Sequence, residues 1–79
     1  MTEPDVLLPL LRETAERAKL EIRREGEMPT GVCVLKGKVI AVIPHGTPPA
    51  VECVHLVDAL KRLDLSEVFV SPAVRDALE

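Results

Sequence analysis

Residues 38–71 carry the sequence KVIAVIPHGTPPAVECVHLVDALKRLDLSEVFVS and have the pattern of a complete β-α-β unit. An apolar run at 39–43 stops at the loop PHGTPP, after which a helical pattern continues to about Leu63. A second apolar run follows at 68–70 and ends at Ser71. We therefore predict two parallel strands joined by a right-handed crossover through the intervening helix.

The first helix is predicted from an apolar stripe. Apolar residues recur at spacings of three and four, the period of one helix face, at Leu8, Leu11, Ala15, Ala18 and Ile22. Pro9 interrupts the start of this stripe, so the helix begins either near Pro9 or at Asp5 with Pro9 in an irregular first turn or two. Gly26 is the predicted C-terminal stop, which places the end of the helix near Glu25 and Gly26.

A β-hairpin is predicted next. Thr30–Leu35 and Lys38–Ile43 are rich in Val and Ile, and Lys36-Gly37 lies between them, where glycine supplies the positive φ of a tight turn. The second helix follows at Pro49–Leu63, with prolines well placed in its first turn. A row of Val51, Val54, Val57 and Leu60 and a second row of Cys53, Leu56, Leu60 and Leu63 predict a broad apolar face, and the remaining polar face holds Glu52, His55, Asp58, Lys61 and Arg62.

A third strand is predicted at Glu67–Val70 and a short helix at Ala73–Leu78, behind Ser71 as its N-cap. The predicted order is α-β-β-α-β-α. The chain is thus expected to form a single small α/β (α+β) domain over residues 1–79, with a three-stranded mixed sheet and helices packed on it. Two strand orders remain open; the simplest puts the second strand in the centre, because it is the most uniformly apolar.

The amino-acid composition predicts that the chain associates with a second copy of itself. The chain has 79 residues, 47% of them hydrophobic, and Phe69 is its single aromatic residue. An aliphatic core buries less area per residue than an aromatic one, so at roughly 25 cal/mol per Å² the chain has little stability to spare. Both hairpin strands are apolar at nearly every position, which predicts that helices cover one sheet face and a second copy the other. We therefore expect a homodimer.

The net charge of −3 argues against a phosphate-backbone partner, and the absence of Trp and Tyr removes the rings on which bases stack. No apolar run approaches the ~20 residues that span a bilayer, and the N-terminus lacks the layout of a signal peptide. We predict a cytoplasmic protein with no membrane or nucleic-acid partner and with Cys33 and Cys53 as free thiols. Seven prolines and the absence of Asn and Gln predict a thermophilic origin.

The loop His45, Gly46 and Thr47 is the candidate site. It follows a predicted strand and precedes a helix, where free N–H groups and the helix dipole favour an anion. In that interpretation Gly46 lets the backbone approach a small anion or nucleotide, Thr47 offers its hydroxyl and His45 is a polar contact. The alternative is a plain turn in which Thr47 caps the helix.

Other chemistry is not indicated. Cys33, His45, Cys53 and His55 lack the paired spacings of zinc sites, so no metal is predicted. Cys53 and His55 lie two residues apart on a helix and point to different sides. No acid/base pair or nucleophile constellation is present in the sequence, and the prediction is that the protein is not an enzyme and has no cofactor.

The segment VIAVIPHGTPPAVECVHLVDALKRLDLSEVFVSPAVRDAL, residues 39–78, resembles the C-terminal half of a group of small RNA-binding ribosomal proteins. The resemblance implies an RNA-associated protein; the acidic residue of that family's strand-end loop is missing here. The preferred prediction is a non-enzymatic, self-associating protein-interaction module. The alternatives are an anion or nucleotide sensor that uses the His45 loop, and an RNA-associated protein.

Overall fold

The computed structural model describes residues 3–26 and 28–79. These residues form three α-helices and three strands, in the order α1 (Pro4–Arg17), β1 (Glu21–Arg23), β2 (Gly31–Leu35), β3 (Lys38–Val42), α2 (Pro49–Lys61) and α3 (Pro72–Leu78). The predicted class, an α+β fold with helices packed on a small three-stranded mixed sheet, is confirmed.

The sheet has the strand order β1-β3-β2. β1 runs parallel to β3, with Glu21 opposite Ile40 and Arg23 opposite Val42. β2 runs antiparallel to β3. The hairpin strand predicted at Lys38–Ile43 therefore occupies the centre, as in the simpler of the two predicted orders, because it alone has a neighbour on both sides.

The predicted strand at Glu67–Val70 is wrong, and the element order is α-β-β-β-α-α. Residues 62–71 form turns and loop, in which the N–H of Val68 donates to the carbonyl of Leu65 at 3.1 Å. Both sides of β3 are already paired, with β1 and with β2, so this short apolar run cannot pair with β3 as the prediction requires. The parallel partner of β3 is β1, which precedes it in the chain.

The first helix ends nine residues before Gly26, at Arg17, so that prediction is wrong too. Lys19 takes the left-handed conformation, with a φ of 58°. The N–H of Lys19 donates to Glu16 O at 3.1 Å and that of Leu20 to Ala15 O at 3.0 Å. This is a Schellman motif in which lysine occupies the position that glycine normally takes. The motif ends the helix, and the chain continues into β1 at Glu21.

Pro4 is the first residue of α1, and Pro9 lies inside the helix, as the earlier of the two predicted starts requires. The hairpin prediction is confirmed: Leu35 lies opposite Lys38. Lys36 and Gly37 have φ values of 52° and 79°. Two positive values in succession define the type I′ turn, whose twist matches that of the strands.

The other two helices also match their predicted positions to within two residues. α3 follows Ser71, whose Oγ is buried and has no hydrogen-bond partner among the described residues. In α2, the row containing Leu56 and Leu60 is buried, whereas Val51 and Val54 of the other predicted row are exposed. The broad apolar face predicted for α2 is thus only partly used inside the domain.

The main core lies between the helices and one face of the sheet. It is built from Leu8, Leu11, Ala15, Ala41, Ile43, Cys53, Leu56, Ala59, Leu60 and Val74. Ile40 and Val42 alternate with Ala41 and face the opposite side of the sheet, yet both are buried. Directly paired residues share a face, so the side chains of Glu21 and Arg23 lie beside them there.

None of the helices in residues 3–26 and 28–79 has the length and hydropathy needed to cross a bilayer.

Candidate functional site

The predicted site loop forms a tight turn. The N–H of Thr47 donates to the carbonyl of Pro44 at 3.2 Å, and its Oγ1 donates to the same oxygen at 2.6 Å. Gly46 has a φ of 86°, a value that a side chain would strain. His45 and Gly46 are exposed. The Thr47 hydroxyl closes this turn and makes no cap bond to α2.

The start of α2 offers few donors to an anion. Pro48 is the N-cap residue and Pro49 the first helical residue, and proline has no N–H. The N–H groups of Val51 and Glu52 both donate to the carbonyl of Pro48 at 3.0 Å. Anion binding at His45, Gly46 and Thr47 therefore stays a prediction, in which the ligand would have to be held mainly by side chains.

The strongest polar feature of the molecule is a buried carboxylate close to this loop. Glu52, in the first turns of α2, is only 2% exposed. Arg12 of α1 binds it with two hydrogen bonds, Nε to Oε2 at 2.7 Å and Nη2 to Oε1 at 3.0 Å. Arg24, just after β1, donates from Nη2 to Oε2 at 3.1 Å. We call these three residues the Glu52 triad.

The triad ties together three separate segments of the chain. Besides its bond to Glu52, Arg24 donates from Nη1 to the carbonyl of Ile43 at 3.3 Å, beside the site loop. Both carboxylate oxygens are satisfied, which is what a buried charge requires. Two guanidinium groups share one carboxylate, so the cluster keeps one excess positive charge.

Sequence reasoning missed the triad because it assigns Glu52 to the polar face of the second helix, where a side chain is expected to face solvent. One pattern does mark Glu52 as buried: Glu52, Leu56 and Ala59 are spaced as i, i+4 and i+7 and share the buried face. An acid in phase with core residues predicts a buried partner for its charge.

The triad shifts the pKa of Glu52 from its ordinary 4.5 to about 2. The hydrogen bonds from Arg12 are the largest cause; the hydrogen bond from Arg24 acts in the same direction, and burial opposes both. A lowered folded-state pKa means that the stabilisation is complete above pH 4.5. It is lost as the pH falls from there towards 2, because the unfolded state then binds the proton more tightly.

We expect Glu52 to contribute about 3 kcal/mol to this acid-linked loss of stability. Urea unfolding of the wild type and of Glu52→Gln at pH 7, 5, 3 and 2 measures it. The wild type is expected to be the more stable at pH 7, and the difference should shrink below pH 4.5 as the carboxylate is protonated. A difference independent of pH would contradict the assignment. Glu21 and Asp64, whose pKa values are also lowered, titrate equally in both proteins.

The cysteines are both free thiols, as predicted. Cys53 is buried, its Sγ lies 3.7 Å from the carbonyl of Pro4, and burial raises the pKa of the thiol. A protonated thiol is a poor nucleophile. Cys33 is half-buried on β2. Within the described ranges no three His, Cys, Asp or Glu side chains lie close enough together to hold a metal ion.

The chain matches no protein-family model, no curated protein and no solved structure. What the protein does must therefore be argued from its own geometry.

Proposed function

We propose that the protein is a small non-enzymatic module that self-associates as a homodimer and acts through a partner protein. The observation that supports this proposal is exposed apolar surface. Large hydrophobic side chains that remain well exposed in the folded chain are Val6, Val34, Leu35, Val51, Val54 and Phe69. Contiguous exposed apolar surface on a small protein marks an interaction site.

The exposed residues are concentrated on two elements. Val34 and Leu35 are neighbours on β2, and Val51 and Val54 lie one turn apart on the solvent face of α2. Phe69 is a different case, since the guanidinium of Arg17 lies 5.2 Å from the centre of its ring. That cation–π contact stabilises the exposed ring and offsets part of the cost of leaving it in water. The exposed aliphatic surface is therefore mainly on β2 and α2, and Val6 adds a single exposed side chain on α1.

Two further properties belong to the proposal. Free thiols are in keeping with a reducing compartment, so we propose a cytoplasmic location. The ion pairs form networks, with Glu21 contacting both Arg23 and Lys38 and Glu52 contacting both arginines of the triad. Networks of this kind, together with a proline-rich chain, support the proposed thermophilic origin.

Sedimentation velocity over a concentration series from about 1 μM to 1 mM tests self-association, a range chosen around the affinities of small interfaces. We expect a reversible dimer with twice the 8.6 kDa mass of one chain. The dimer should persist at high salt, because apolar burial is not screened as charge pairs are. A strict monomer across the whole series would refute the proposal.

A further inference from the structure

β2 is an edge strand without the usual protection. It pairs with β3 on one side only. In residues 3–26 and 28–79, no backbone hydrogen bond outside the β2–β3 ladder involves residues 31–35. The strand sequence GVCVL has no charge and no proline. Such an edge is a template for a further strand. The opposite edge, β1, is only three residues long and carries two charges.

The hairpin turn determines which backbone groups are free. The two residues that flank a two-residue turn exchange both of their hydrogen bonds, so Leu35 is a hydrogen-bonded partner of Lys38. Bonding alternates along an antiparallel ladder, and Cys33 therefore also turns its N–H and C=O towards β3. The N–H and C=O groups of Val32 and Val34 point away from the sheet, towards the open edge.

We propose that this edge binds β2 of a second copy, antiparallel, about a two-fold axis at Cys33. The inference rests on the proposed self-association and specifies its geometry. In this register Val32 pairs with Val34 of the partner subunit, and Val34 with Val32 of the partner subunit. Each of these pairs exchanges two hydrogen bonds through the outward groups. The two sheets become one sheet of six strands.

The sequence of β2 and the charges that flank it are complementary to those of a second copy in the antiparallel orientation. Val32 and Val34 flank Cys33 symmetrically, so the sequence is self-complementary about that residue. Lys36 is exposed at one end of β2, and exposed Glu25 lies in the loop that leads into the other end. Antiparallel pairing brings each lysine towards the end of the partner that carries Glu25 and separates the two lysines by roughly 20 Å. Parallel pairing would place the lysines side by side.

Cross-linking tests the register. Residues directly opposite each other at a non-hydrogen-bonded position have Cα atoms about 4.5 Å apart, within the range of a disulfide. Copper-phenanthroline oxidation of the wild-type chain is therefore expected to give a covalent dimer. The matched control is Cys33→Ser, which keeps the buried Cys53 and is expected to give none. Failure of the wild type to cross-link while it is dimeric would overturn the register.

A backbone variant tests the hydrogen bonds. Val34→Pro removes an outward N–H, and proline is tolerated on an edge strand at such a position. We expect the dimer Kd to rise at least about tenfold, which corresponds to the loss of two hydrogen bonds. Val34→Thr removes apolar surface but keeps the N–H, and its Kd is expected to stay within about threefold of the wild type. Circular dichroism verifies that both variants fold.

Different experimental results would contradict the proposed self-association and the proposed β2 pairing. A wild-type chain that is monomeric throughout the concentration series overturns both. A dimer that neither cross-links through Cys33 nor responds to Val34→Pro overturns the β2 pairing alone and leaves self-association in place, through Val51 and Val54 of α2. Should Val34→Pro not fold, the cross-linking of the wild type and of Cys33→Ser decides the matter without it.

Discussion

Glu52→Ala is expected to lower the free energy of unfolding by about 3 kcal/mol at pH 7, the lower end of the cost of removing one partner from a buried ion pair, because Glu52 is buried whereas the Arg12 side chain is half exposed. The change leaves two guanidinium groups without their shared carboxylate, and one of them, that of Arg24, is partly buried. A chain of 79 residues has a total stability of about 4–12 kcal/mol. Denaturant unfolding monitored by circular dichroism measures the loss.

The matched control is an exposed ion pair on α1. Glu13→Ala removes the carboxylate that binds Arg17 one turn along the helix, at the surface. Exposed pairs of this type contribute about 0.3–0.5 kcal/mol, so we expect a change of that size. Equal costs for Glu13→Ala and Glu52→Ala would mean that the Glu52 triad is no more than a surface contact.

Leu60→Ala is the second large effect. Leu60 is fully buried in the core, and its truncation creates a cavity that the surrounding helices can fill only in part. We expect a loss of about 2–5 kcal/mol in the free energy of unfolding. For a domain of this size each kcal/mol corresponds to roughly 4–8 °C in Tm. Thermal and denaturant unfolding would both report it.

Val54→Ala is the control for this prediction. Val54 lies on the same helix but is 65% exposed, so its truncation is expected to change the stability of the monomer by less than about 0.5 kcal/mol. The pair also tests which apolar row of α2 faces the core. A larger loss of unfolding free energy for Val54→Ala than for Leu60→Ala would mean that the opposite face of α2 packs against the core.

The features that sequence predicts well here are local ones. The turn at Lys36-Gly37 needs two residues of positive φ, and the prolines at the start of α2 and α3 remove N–H groups that a first turn leaves unpaired in any case. Each of these depends on a few consecutive residues. Their positions could therefore be predicted to within two residues.

The two wrong predictions, the end of the first helix and the strand at Glu67–Val70, arise where the backbone conformation differs from the one that the local residues favour. Lys19 ends α1 in a left-handed conformation that is typical of glycine, and the sequence therefore carries no glycine signal where the apolar stripe stops being helical. The run at 68–70 has strand-like residues, but its predicted partner, β3, is already paired on both sides. Local propensity is overridden by tertiary context in both places.

The Glu52 triad could not be located from sequence alone, since its partners are far apart in the chain. Arg12 and Arg24 lie 40 and 28 residues from Glu52. The helical phase of Glu52 marks it as buried, yet the identity of its partners depends on how α1 and the end of β1 pack against α2. The site loop, by contrast, was placed correctly between β3 and α2, while the role of the Thr47 hydroxyl in closing the turn was not anticipated.

The triad also divides the polypeptide into two complementary segments of unequal length. Residues 3–26 supply both guanidinium groups and the short strand β1, while the remainder supplies the carboxylate and the flank of β3 on which β1 lies. The two segments are thus held together both by the ion pairs of the Glu52 triad and by the backbone hydrogen bonds between β1 and β3. A single proteolytic nick in the connection after Gly26 would leave two pieces equipped to reassemble without their covalent link.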